Sequence, residues 1–262
     1  MYGTSLRLGR LFRQSSGRSL VAAIDHGLTI GPQPGAVNVI DTVRTVVDCR
    51  PDAMLLSPGI LAKTSELFAF REAPSIMLRT DFFINRDDPR LSLHEEQYRV
   101  LCSPSHAASL GADSIIHFLI LHPDTGEMFA DNVQAVSRAA EEAHRFGLPL
   151  IVEVVTWGSR IQKKRDPDLL SLGNRMAAEL GADAVKTEWT GDVESMRRVI
   201  EGCPVPTLVL GGARSESAET LLEATRQALD AGARGLIYGR NIWQADDPRA
   251  ITARLNDLVH GE

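Results

Sequence analysis

The chain has 262 residues, 44 % of them hydrophobic and 24 % charged, with a net charge of −6. That length suits one α/β domain spanning 1–262 and can bury a large core without disulfides or metals. The acidic balance argues against a nucleic-acid partner, and no apolar run approaches the roughly 18 residues of a membrane span. The polar, basic start lacks the apolar core of a secretory signal. Cys49, Cys102 and Cys203 are too scattered for a disulfide framework or a zinc site. Their usage fits a reducing cytoplasm.

In chain order, Leu6–Gly17 is read as a helix that covers the bottom of the fold. Eight short β-branched or apolar runs follow: Ser19–Ile24, Ala53–Leu56, Ser75–Arg79, Ser114–Ile120, Pro149–Val155, Ala184–Thr187, Thr207–Leu210 and Gly235–Tyr238. Most are continuously apolar rather than alternating, as buried parallel strands are. Asp81–Pro89, after the third run, is the least regular stretch. Helical periodicity is clearest over Asn132–Arg145, Leu169–Leu180, Val193–Ile200 and Ala218–Ala231. Gly111-Ala112-Asp113, Gly181-Ala182-Asp183 and Gly232-Ala233-Arg234 punctuate the helix-to-strand joints, with glycine ending each helix. Repeated strand–helix alternation implies right-handed βαβ units. Eight of them favour a (β/α)8 TIM barrel over an open doubly wound sheet.

A barrel of this kind carries its chemistry at the carboxyl ends of its strands. Asp25 and His26 follow the first run, Glu153 lies in the fifth and Lys186 in the sixth. Lysine is rare in a buried strand, because burying an ammonium is costly. An unprotonated lysine amine can attack a carbonyl carbon to form an imine. The alternative is an ion pair between Lys186 and Glu153 or Asp25. Asp25 and Glu153 are candidate acids or bases, Asp25 the better placed of the two. Gly211-Gly212 and Gly239-Arg240 end the last two runs. Such loops hold phosphate in many barrels, with Arg240 or Arg214 adding charge, although tight turns need glycine too. Arg240 opens a short helical turn read over Asn241–Gln244. His26, His117, His122, Glu153 and Asp25 could supply metal ligands at a barrel mouth, but none shows the spacing of a metal motif, and no metal or cofactor is expected.

Several of these segments resemble the archaeal-type class I fructose-bisphosphate aldolases. The opening matches in Arg10-Leu11-Phe12, Ser16-Gly17-Arg18, Ile24-Asp25-His26-Gly27, Gly31-Pro32 and Gly35. Val185-Lys186-Thr187 resembles that family's Schiff-base strand. Pro204-Val205-Pro206, Gly211-Gly212 and Gly239-Arg240-Asn241-Ile242-Trp243-Gln244 resemble its phosphate-binding end. The resemblance implies a Schiff base at Lys186 and proton transfer or substrate binding at Asp25. It implies a phosphate held at Gly211, Gly212, Gly239 and Arg240, and a ring-shaped homo-oligomer. The family's tyrosine acid, in a Tyr-Pro-Arg-Gly turn, is replaced here by Val155-Thr156-Trp157-Gly158, and Glu153 is the candidate substitute. The wider superfamily includes a thiolase acting on a phosphorylated pentanedione and aldol-type synthases. A phosphorylated keto substrate is therefore expected, with an aldolase, a thiolase or a synthase reaction open. A metal-dependent barrel hydrolase or isomerase and a catalytically silent barrel remain the competing readings.

Overall fold

A computed structural model describes residues 2–84 and 96–261. Ten strands occur among them: β1 (Ser19–Ala23), β2 (Ala53–Leu56), β3 (Ser75–Arg79), β4 (Asp81–Ile84), β5 (Gln97–Val100), β6 (Ser114–Ile120), β7 (Leu150–Val155), β8 (Ala184–Thr187), β9 (Thr207–Leu210) and β10 (Gly235–Tyr238). Eight of them close into a parallel barrel in the order β1-β10-β9-β8-β7-β6-β3-β2. These are the eight runs read from the sequence, so the TIM barrel stands and the open sheet does not.

Alternation along each strand divides the core in two. Val21, Ala53, Leu55, Met77, Ile116, Ile151, Ala184, Leu208 and Ile237 face inward and fill the barrel. Leu20, Met54, Leu78, Ile115, Val152, Val185 and Leu236 face outward, against the helices. Being buried on both faces is why the runs read as continuously apolar.

The recurring Gly-Ala-Asp joint has a definite structure. Gly111 and Gly181 sit at φ 83° and 101°, where a Cβ would be strained. The following alanine amide bonds back into the helix, Ala112 to Ala107 and Ala182 to Ala177. The aspartate then accepts the amide of a neighbouring strand, Asp113 from Ile76 at 3.0 Å and Asp183 from Leu150 at 2.8 Å. Helix end and strand register are thus set together.

Two readings need correction. The first helix is Tyr2–Leu11, not Leu6–Gly17. Its last residue, Leu11, enters the inner core and plugs the barrel bottom, while Gly17 (φ 63°) belongs to the turn before β1. The stretch after β3 is not irregular over Asp81–Ile84. It forms β4, paired antiparallel with β5 as a hairpin outside the barrel; residues 85–89 lie outside the described residues. No described helix is long and apolar enough to cross a membrane.

Candidate active site

The inward face of each strand leads from the apolar core to a polar layer at the carboxyl end. Two residues beyond Ala23, Met77, Ile116, Ile151 and Ala184 on the same faces come Asp25, Arg79, Phe118, Glu153 and Lys186. Parallel register sets Phe118 beside Glu153 and Glu153 beside Lys186. Lys186 Nζ lies 2.6 Å from Glu153 Oε1, with both side chains buried.

Glu153 is shared. Its other oxygen accepts from Arg79 Nη2. Arg79 also donates through Nε to Asp25 Oδ2 at 3.0 Å and through Nη1 to Asp81 Oδ1 at 3.4 Å. Its guanidinium stacks 3.8 Å from the centre of the Phe118 ring. A single buried fork therefore orients three carboxylates. Burial alone would raise the pKa of Asp25, but the charges of Arg79, Lys186 and His26 outweigh it and hold the carboxyl below its usual range. The three carboxylates likewise outweigh burial at Arg79, so its guanidinium is pushed further toward the charged form. Burial depresses the pKa of His26, with Asp25 opposing and Lys186 and Arg240 adding to the shift.

The loops after β9 and β10 are stapled by Asn241. Its amide donates to Gly211 O at 3.0 Å and Ala213 O at 3.2 Å, while its oxygen accepts from Ser215 N at 2.7 Å. A Cβ on Gly239 would lie 2.3 Å from His26 Cε1, so only glycine lets the β10 loop approach the β1 loop. Trp243 closes the same corner. Its ring meets His26 edge-on at 5.6 Å, and its Nε1 donates to Ala23 O at 3.0 Å. The two candidate arginines differ. Arg214 is exposed and pairs with exposed Asp246 at 3.2 Å. Arg240 has a buried Nε with no hydrogen-bond partner, a donor left for something else.

The structure thus brings Asp25, Glu153 and Lys186 into one cluster and places His26, Gly239 and Arg240 along its edge. It does not bring the other histidines there. His117 sits on the outward face of β6, with Nδ1 3.4 Å from Tyr98 Oη and 4.0 Å from Asp81. His122 lines a groove outside the barrel with Phe129 and Leu172. Among the described residues no group of three or more His, Cys, Asp or Glu is arranged to hold a metal ion. Val155, at the position of the absent tyrosine, packs with Phe83, Tyr98, Phe118 and Ile120 in an apolar cluster.

Sequence reasoning missed Arg79, Asp81, Glu188 and Arg165. Arg79 ends an apolar strand, where an arginine reads equally well as the chain leaving for solvent, and only the closed barrel turns it inward. Glu188, buried two residues beyond Lys186, accepts from Thr156 Oγ1 at 3.2 Å and pairs with Arg165 Nε at 3.4 Å. Arg165 Nη2 lies only 3.8 Å from where a Cβ of Gly212 would be, so it stands over the β9 loop. No spacing in the chain announces that contact.

Residues 19–245 match the family described as DeoC/LacD family aldolase. The chain belongs to the DeoC/LacD family of aldolases. It is an aldolase-type lyase. An uncharacterized aldolase of Saccharolobus solfataricus is 32 % identical over 99 % of this chain and 95 % of that one. The 2-amino-4,5-dihydroxy-6-oxo-7-(phosphonooxy)heptanoate synthase of Streptomyces griseus is 29 % identical over 99 % and 91 %. The DeoC/LacD fold of this chain also matches an archaeal fructose-1,6-bisphosphate aldolase solved with its catalytic lysine bound to the carbinolamine intermediate. That match has a TM-score of 0.84 at 26 % identity, covering 98 % of this chain and 100 % of the other.

Proposed function

We propose that this aldolase forms a Schiff base between Lys186 and the carbonyl of a phosphorylated ketose or keto compound. The observation that carries the reading is a lysine on the inner wall of the barrel mouth with a carboxylate oxygen 2.6 Å from its nitrogen. Glu153 accepts the proton that Lys186 must lose before Nζ adds to the carbonyl carbon. Proton return to the carbinolamine hydroxyl releases water and leaves the protonated imine. In the cleavage direction, Asp25, kept ionised by Arg79, takes the proton of the substrate hydroxyl. The carbon–carbon bond breaks toward the imine, an aldehyde leaves, and the enamine is reprotonated at carbon. Glu153 stands in for the tyrosine that Val155 replaces.

The phosphate is held at Gly211, Gly212, Gly239 and Arg240, with Arg165 closing over Gly212; Arg214 serves only at the rim. Anchoring there places the carbonyl against Lys186, so binding energy far from the reacting carbon orients it. The Streptomyces griseus synthase makes a product with an oxo and a phosphonooxy group, which supports the same chemistry run toward bond formation as the second reading. A homo-oligomer acting in the cytoplasm, with no resident cofactor, completes the proposal.

Borohydride trapping tests it. Incubation with dihydroxyacetone phosphate should add the mass of a reduced imine, mapped by peptide analysis to Lys186, and Lys186→Met should abolish it. Activity that survives in Lys186→Met and disappears with a chelator would replace this reading with a metal-dependent one.

A further inference from the structure

A cavity of about 300 Å3 opens beside the candidate site, between the loop after β1 and the start of the helix Pro58–Thr64. Ile24, Leu28, Ala36, Val39, Ile60 and Trp243 give it apolar walls, and Asp25, His26, Gln33 and Ser57 supply its polar atoms. Among the described residues no lysine or arginine lines it. Asp25 borders both spaces. Its Oδ2 is held by Arg79, while Oδ1 is turned to the His26 side, 3.8 Å from Nδ1. That His26 nitrogen is buried and has no hydrogen-bond partner.

The barrel order fixes where this cavity lies relative to Lys186. β8 and β2 are four places apart in a ring of eight strands, so they face each other across the mouth. The β6 and β7 side is already filled by Phe83, Tyr98, Phe118, Ile120 and Val155. A molecule joined to Lys186, with its phosphate at the β9 and β10 loops, has its other end directed toward β1 and β2.

We infer that this cavity receives the end of the substrate remote from the anchoring phosphate, and that this end is an uncharged, hydroxyl-bearing carbon chain rather than a second phosphate. The inference rests on the imine reading of Lys186 and deepens it. A phosphate placed there would face the Asp25 carboxylate, whose Oδ2 is already held by Arg79, and would meet no cation of its own among the described lining residues, which electrostatics disfavours. A hydroxyl, by contrast, finds His26 Nδ1 without a hydrogen-bond partner beside Asp25 Oδ1, and its carbon chain finds Ile60, Val39 and Trp243. The cavity is at the small end of the range for ligand sites, enough for several carbons and their hydroxyls. The enzyme is thereby selective for monophosphates, in contrast to the archaeal relative named for a bisphosphate.

The test is borohydride trapping at Lys186 with three probes, each titrated to half-saturation. Dihydroxyacetone phosphate has the anchor and no remote end. Fructose 1-phosphate adds a neutral remote end, and fructose 1,6-bisphosphate a charged one. Fructose 1-phosphate should half-saturate at a concentration at least about tenfold lower than the bisphosphate. Ala36→Trp, which places a bulky ring in the wall of the cavity, should raise half-saturation for fructose 1-phosphate about tenfold and leave dihydroxyacetone phosphate unchanged. Equal or tighter trapping of the bisphosphate overturns the inference even if the variant does not fold. So does an Ala36→Trp effect that is absent, or the same for both probes. An adduct with dihydroxyacetone phosphate alongside such a result leaves the imine reading standing; no adduct with any probe removes the imine reading and this one together.

Discussion

Arg79 is the residue on which the others in the mouth depend. Its side chain is 2 % exposed and contacts Glu153, Asp25 and Asp81, so removing it takes a shared cation from three buried carboxylates. Breaking a buried charge pair by deleting one partner costs about 3–5 kcal/mol. Arg79→Met should lose stability on that scale, read from the urea midpoint. A loss below about 1 kcal/mol would show that the fork does not carry the cluster. The variant also changes titration. With Arg79 gone, Asp25 loses the largest charge opposing its burial, so its pKa rises and the acid limb of the activity profile moves to higher pH. Lys186 was legible in the sequence because an ammonium inside Ala184–Thr187 contradicts its apolar surroundings. Arg79 was not, because an arginine that ends a strand reads equally well as the chain leaving for solvent. Only the closed barrel shows that its position, like those of Glu153 and Lys186, faces inward.

At the scale of elements, strand positions were legible almost to the residue, because burial on both faces writes continuous apolar runs between helix-ending glycines. The β4–β5 hairpin was not. Gln97–Val100 shows one face only to the protein, with Tyr98 buried and Gln97, Arg99 and Val100 exposed, so its pattern is that of a loop. What holds it is tertiary: Asp81 Oδ2 accepts from Phe118 N at 2.6 Å, taking over a ladder bond where β3 has left the sheet. The closing seam of the barrel was legible only as a strand start. Gly235 has φ 148°, and a Cβ there would lie 2.0 Å from Ser19 O, inside the β1–β10 pairing. Gly235→Ala must push these two strands apart. It should cost at least about 2 kcal/mol, visible as a lowered thermal midpoint with the candidate site otherwise intact. An unchanged midpoint would mean that the seam absorbs a methyl without opening.

For the whole molecule, both ends of the chain meet under the barrel at one carboxylate. Asp52, just before β2, accepts from Arg13 Nε at 2.6 Å, from Leu20 N at 2.7 Å, and from His260 Nε2 at 3.0 Å. His260 in turn contacts Ser16 Oγ at 2.7 Å, so the segment after the first helix, the start of β1 and the last helix share one latch. Burial would raise the pKa of Asp52, but hydrogen bonds from His260, Leu20 and Arg13 outweigh it and hold it below the usual carboxylate range. A carboxyl with a lower pKa folded than unfolded binds protons more readily in the unfolded chain. Its contribution is therefore complete above the unfolded value, about 3.9, and is lost as pH falls through the folded one. Urea midpoints measured from pH 7 downward should fall on the acid side for the wild type. Asp52→Asn should begin lower at pH 7, since it cannot pair with Arg13, and fall less steeply in acid. Asp25 at the opposite end of the barrel is also held low, so the acid slope will shrink rather than vanish. Parallel curves for the two proteins would place the acid sensitivity elsewhere and leave the latch as packing alone.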